Sequence, residues 1–192
     1  AVSTNRAVLS GLFAFACRTT VEAIRWAPDT PPDPATAPAP IPPCFILTVP
    51  LFHVTGCVPV MLGSVATGAK LVMMHKWDPL RALQLIDREK VTNFVGVPTM
   101  SQDLISHPDF DKYDTSSVTV VGGGGATYSP ELLRLMAKKL PQARLGVGYG
   151  MSETLGSGSR LGGIAMDSWP SSVGTVESMC ELEIRDENDN VV

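Results

Sequence analysis

Aromatic residues are scarce, at 6% of 192 positions, and the charge is close to balanced: 15 Lys and Arg against 19 Asp and Glu, a net charge of −4. A chain with no basic stripe lacks the electrostatic footprint of a nucleic-acid binder. The one basic pair, Lys138-Lys139, reads as favourable charge at the C-terminal end of a helix. Histidine and cysteine are few as well. Cys17, Cys44, Cys57 and Cys180 show no C-x-x-C spacing, and His53, His75 and His107 do not pair with them. That argues against a zinc site and against a disulfide framework, and it fits a reducing, cytoplasmic compartment. No uninterrupted apolar run reaches the roughly 18 to 20 residues of a membrane span, and no signal peptide opens the chain, so the sequence reads as a soluble protein. The first residue is Ala rather than Met, which reads as a piece of a longer protein.

What is present is enough apolar material for a core, 44% of residues, and much glycine and proline. Thr4 or Asn5 can cap a helix carrying Val8, Leu9, Leu12 and Phe13. Residues 27–43 hold eight prolines, too few backbone donors for a helix or a central strand, so they read as a loop or internal linker. From Cys44 the pattern becomes short apolar runs alternating with helical periodicity. Strands are expected at 45–49, 70–74, 92–97, 117–121 and 144–147, with a helix from His53 to Thr67. Further helices are expected after Asp78-Pro79, from Pro98 to His107, and after Ser129-Pro130. Alternation of this kind predicts an α/β fold, a mostly parallel sheet flanked by helices. A last edge strand is expected at 181–184, ending in a turn at Asn188-Asp-Asn190.

Two segments concentrate candidate chemistry. Gly122 to Gly125 follow a strand and precede a capped helix, so backbone can approach a flat or anionic ligand; a tight strand-to-helix turn is an equally good reading. The dinucleotide fingerprint fails there, with Thr127 in place of its third glycine, and Gly63 to Lys70 has the wrong spacing for a P-loop. The second segment is Gly148-Tyr-Gly-Met-Ser-Glu-Thr154, which delivers an aromatic, a hydroxyl and a carboxylate to the end of a strand, where open α/β sheets bind ligands. It is a near miss to a hydrolase nucleophile elbow, with Thr154 where a glycine belongs. The triad histidine should follow the serine, and none occurs after His107. His53 stands where a strand gives way to a helix, equally suited to a helix N-terminus or to a pocket wall.

Taken in order, Pro50-Leu-Phe-His53-x-x-Gly56, Val97-Pro98-Thr99, Gly124-Gly-Ala126-x-x-Ser129-Pro-Glu-Leu132, Tyr149-Gly-Met-Ser-Glu-Thr154 and Ser172-Val-Gly174 resemble successive motifs of the adenylate-forming superfamily, of the acyl-CoA synthetase type. Residues 1–8 also resemble the stretch after that family's phosphate-binding loop, with Asn5 where a His is common. The resemblance implies that residues 1–192 are a central fragment of the AMP-binding domain, with the phosphate-binding loop and the C-terminal lid absent. It implies two steps: a carboxylate reacts with ATP to give an acyl-adenylate, and a thiol such as coenzyme A then takes the acyl group.

Carried over by position, Tyr149 stacks on adenine, Ser152 hydrogen-bonds the α-phosphate and Glu153 holds Mg²⁺. Gly124, Gly125, Ala126, Thr127 and Gly150 complete the nucleotide site, and His53, Gly123 and Gly124 line the acid pocket. Glycines at 123 to 125 suggest room for a fatty or medium-chain acid, with aryl acids second, and no Arg or Lys near the motifs suggests a second carboxylate on the substrate. Thr127-Tyr128 replaces the usual Pro-Leu, placing Tyr128 to crowd or hydrogen-bond the base edge. Val176, Ser178 and Met179 replace a Pro-x-Pro-Gly turn. The fragment alone is expected to lack adenylation activity, and its open sheet edges suggest self-association. The competing reading is a binding or scaffolding module that keeps the fold without the chemistry.

Overall fold

The computed structural model describes residues 2–25, 41–162, 165–169 and 171–192, and of Ala165 and Asp167 the backbone only. Helix α1 (Asn5–Arg25) starts where Thr4 Oγ1 accepts a hydrogen bond from Ala7 N at 3.2 Å. The proline-rich expectation at 27–43 falls mostly on residues 27–40, outside the described residues; 41–43 carry no regular structure.

The sheet has seven strands: β1 (Cys44–Leu47), β2 (Lys70–Met73), β3 (Asn93–Gly96), β4 (Val120–Gly123), β5 (Arg144–Gly150), β6 (Gly158–Gly162) and β7 (Thr175–Val176). Their spatial order is β2-β1-β3-β4-β5-β6-β7. The first five pair in parallel, whereas β6 and β7 add antiparallel. The mostly parallel α/β fold is as the sequence predicts. The expected strand at 181–184 is not formed: Leu182 and Ile184 are exposed, and only an isolated bridge joins Arg185 to Val191. The nearby turn does form, with Asp186 Oδ1 accepting from Asn188 N and Asn190 N at 2.8 and 2.9 Å.

Helices α3 (Pro79–Glu89), α4 (Pro98–Ile105) and α5 (Pro130–Lys139) pack over one face. Asp78 Oδ1 caps α3 by accepting from Arg81 N at 2.7 Å, and Ser129 Oγ caps α5 by accepting from Leu132 N at 3.2 Å. Each cap answers an otherwise orphaned N–H and fixes where its helix begins. Leu83 and Ile86, Leu104, then Leu132 and Met136 meet Ile46, Phe94, Val121 and Val147 in the core.

The helix expected from His53 to Thr67 is a π-helical segment (Gly56–Leu62) that runs into α2 (Gly63–Thr67) and stops at left-handed Gly68. Gly56 is obligatory there, because a Cβ would overlap the carbonyls of Val49 and Pro50. This segment packs with α1 on the opposite face of the sheet. A short helix α6 (Ala165–Ser168) follows β6.

Helix α1 is the one described element that bears on membrane spanning. It is 21 residues long and, by length and composition, apolar enough to cross a membrane, with a mean hydropathy of 1.4 over its best window. It holds no uninterrupted apolar run of that length, because Arg18 and Glu22 punctuate the pattern. Both of those residues pair with the sheet, while Leu9, Phe13, Val21 and Ile24 remain exposed.

Candidate active site

At the carboxyl ends of β4 and β5 lies a cleft of about 280 Å³. One wall is Gly125 to Tyr128, the second is Val147 to Gly150, and the third is Ser171 to Val173. Tyr149, half exposed, gives the cleft a flat aromatic surface. Gly125 sits at φ +80°, a left-handed backbone that turns the chain out of β4 towards α5.

Beyond Tyr149 the chain makes a tight turn, Ser152–Thr154, before β6 returns alongside β5. Thr154 pins it: its Oγ1 accepts from Met151 N at 3.2 Å and also contacts the Met151 and Ser157 carbonyls. Gly150 lies so close to the Gly156 backbone that a Cβ there would overlap it. The turn therefore projects Ser152 and Glu153 outward, both exposed, next to the cleft rather than in its walls. Among the described residues Glu153 pairs with no cation, so its carboxylate is available to a hard metal ion shared with phosphate oxygens, the usual mode for Mg²⁺.

The structure thus gathers Gly125, Ala126, Thr127, Tyr149 and Gly150 in one cleft with Ser152 and Glu153 at its edge. It does not bring the others there as expected. Gly123 and Gly124 were expected to leave room for substrate; instead, a Cβ on Gly123 would strike the Tyr128 phenol and the Gly96 carbonyl, and one on Gly124 would lie 2.7 Å from the Gly148 carbonyl. His53 does not line the cleft: it is exposed, and its Nδ1 accepts from Thr55 N at 3.1 Å, a local turn. Tyr128 does not present its hydroxyl to a base. The ring is buried, the oxygen lies 3.3 Å from Ser101 Oγ and 3.4 Å from the Gly96 carbonyl, and burial raises the phenol pKa. The phenol replaces, from below, the side chain that Gly123 lacks.

Sequence reasoning missed two features. The Ser171 to Val173 wall was visible only as a motif of unassigned role. The second is a group of four charges between α1 and the sheet edge: Arg18 Nη1 to Glu177 Oε1 at 2.7 Å and Arg160 Nε to Glu22 Oε1 at 2.8 Å. Burial, and then the neighbouring Arg160, pull Arg18 down to about 10. These residues lie up to 159 positions apart, and no local pattern joins them.

The model of one family, described as AMP-binding enzyme, matches residues 4–192. The chain belongs to that family. It is similar to 4-coumarate–CoA ligase 3 of Arabidopsis thaliana, 37% identical over 143 residues, covering 73% of this chain and 26% of that protein. A long-chain-fatty-acid–CoA ligase of Bacillus subtilis is 38% identical over 105 residues, 55% of this chain and 19% of that protein. The chain thus spans about a quarter of the length of the curated relatives it matches. Among solved structures, the N-terminal domain of FACL13 from Mycobacterium tuberculosis superposes with a TM-score of 0.76 at 21% identity, covering 100% of this chain and 43% of that one. The o-succinylbenzoate coenzyme A synthetase of Bacillus subtilis, solved with ATP and a magnesium ion, gives 0.68 at 21% identity, covering 93% and 34%. At those identities the likeness speaks for the fold.

Proposed function

We propose that the protein containing this chain activates a carboxylic acid with ATP and transfers the acyl group to coenzyme A. The observation that carries this is the cleft itself: a flat aromatic, Tyr149, faces backbone at Gly125 to Thr127, and a hydroxyl and a carboxylate stand one turn away on Ser152 and Glu153. Tyr149 stacks on adenine, an interaction worth roughly 1 to 3 kcal/mol per base. Ser152 donates a hydrogen bond to the α-phosphate, where charge gathers as a carboxylate oxygen bonds to phosphorus and the bond to the leaving pyrophosphate breaks. A fixed donor aimed at developing charge lowers the barrier. Glu153 would hold Mg²⁺, which neutralises phosphate charge when bound. In the second step a thiolate sulfur bonds to the acyl carbon and AMP departs.

Similar proteins include both a 4-coumarate and a long-chain-fatty-acid ligase, so aliphatic and aryl acids both stay within the reading. The fatty-acid preference rested on space at Gly123 to Gly125, and only Gly125 keeps an open side, with Val97 Cγ1 at 3.8 Å. The test is carboxylate-dependent exchange of labelled pyrophosphate into ATP. The full-length protein gives robust exchange and the 192-residue chain alone gives background. No exchange with any acid by the full-length protein would favour a binding or scaffolding module instead.

A further inference from the structure

Gly125, Ala126 and Thr127 form one wall of the cleft, yet among the described residues no backbone-to-backbone hydrogen bond holds any of them. Gly125 also sits in the left-handed region, at φ +80°. The shape of this wall therefore follows from what fixes its two ends. Before it, Gly123 is paired in the sheet with Gly96 of β3 and Val147 of β5. After it come Tyr128, 4% exposed, and the Ser129 cap of α5.

Tyr128 reaches back to the first of those ends. Gly123 shares its face of the sheet with Val121, two residues earlier, and that face is the one α4 and α5 cover. There the phenol fills the place of the missing side chain: a Cβ on Gly123 would lie 2.9 Å from Tyr128 Cζ. The phenol oxygen stands 3.3 Å from Ser101 Oγ on α4 and 3.4 Å from the Gly96 carbonyl at the end of β3. Both distances exceed the roughly 2.5 to 3.0 Å of ordinary hydroxyl hydrogen bonds, so the ring, more than its hydroxyl, makes the fit. One side chain thus ties the cleft wall to β3, β4 and α4.

We propose that Tyr128 is a positioning residue for the nucleotide: seated on Gly123, it holds Gly125 to Thr127 in the shape that closes the cleft opposite Tyr149. This rests on the nucleotide reading of that cleft. A wall with no backbone hydrogen bonds of its own is pre-formed only while its anchor is rigid, and a ligand that must first order the wall binds more weakly. Ordering the backbone of a single residue is enough to cost about fivefold or more in affinity.

The test is titration calorimetry of the full-length protein with ATP and magnesium, reading affinity and the number of sites separately. Tyr128→Leu, too short to reach Gly96 and Ser101, weakens ATP by about fivefold or more at unchanged stoichiometry. Tyr128→Phe keeps the ring and stays within about twofold of wild type. Should the leucine variant not fold, Tyr128→Met, which fills the space with a flexible chain, weakens ATP in the same direction by less. A merely structural role would lower the number of sites and leave the Kd of those remaining unchanged. That result, an unchanged Kd in the folded leucine or methionine variant, or a Tyr128→Phe as weak as Tyr128→Leu, overturns the ring's positioning role. Wild type that binds no ATP would instead overturn the nucleotide reading beneath it.

Discussion

Arg18 and Glu177 form a largely buried pair, their side chains 22% and 6% exposed. Burial is the largest influence on Arg18 and, with the neighbouring Arg160, lowers its pKa from the usual arginine value to about 10, against the attraction of Glu177. That difference corresponds to about 3 kcal/mol by which the fold disfavours the charged form. Desolvation therefore exceeds the pair's attraction, and among the described residues Glu177 Oε2 is buried with no hydrogen-bond partner. Removing one member leaves the other stranded, so Arg18→Met should destabilise the chain by about 3 to 5 kcal/mol. Arg18→Met with Glu177→Leu removes both desolvation penalties and should be neutral or more stable than wild type by about 1 to 4 kcal/mol.

The folded pKa lies below the unfolded one, so the penalty is fully present below about 10 and fades only as pH rises beyond that. The advantage of the double variant over wild type should therefore be flat between about pH 6 and pH 9, set by Arg18. Urea unfolding followed by circular dichroism measures it, provided the slope m is unchanged. A double variant as unstable as Arg18→Met alone would refute the reasoning, because the pair would then be a net stabiliser of α1 on the sheet.

Two further outcomes follow from the packing around the cleft. Gly123→Ala should lower stability by about 1 to 3 kcal/mol, the usual penalty of overpacking, because the new methyl lies 2.9 Å from Tyr128 Cζ and strikes its hydroxyl; thermal unfolding should show Gly122→Ala, with its nearest neighbour at 3.8 Å, to be far milder. Tyr149→Ala should weaken ATP binding by roughly 1 to 3 kcal/mol while Tyr149→Phe stays near wild type, and calorimetry on the full-length protein would contradict the stacking role if both behaved alike.

The parallel sheet and its helices were legible because their signals are local: Asp78-Pro79 and Ser129-Pro130 cap helices, and the apolar runs at β1, β3 and β4 are largely buried, with β2 at the edge burying only Val72. The antiparallel additions were not. Gly158 to Gly162 drew no strand expectation, and it becomes one where the turn held by Thr154 folds it back onto β5. Conversely, Glu181 to Ile184 alternates like a strand but finds no neighbour to pair with.

The same division holds at the site. Tyr149, Ser152 and Glu153 are contiguous and could be picked out as a group. The filling of Gly123 by Tyr128, and the arrival of Arg160 over Gly146, depend on side chains crossing between strands. Gly146 falls inside the strand expected at 144–147 and Gly148 just beyond it; the antiparallel register with β6 carries β5 on to Gly150.

Carboxylate-dependent pyrophosphate exchange by the full-length protein, compared between Ser152→Thr and Glu153→Ala, tests the central claim most directly. A threonine keeps the hydroxyl that donates to the phosphate, so Ser152→Thr should exchange nearly as well as wild type, whereas Glu153→Ala removes the proposed metal-binding carboxylate and should reduce exchange to near background. An inactive threonine variant beside an active Glu153→Ala would contradict the account and return Ser152 to the role of nucleophile.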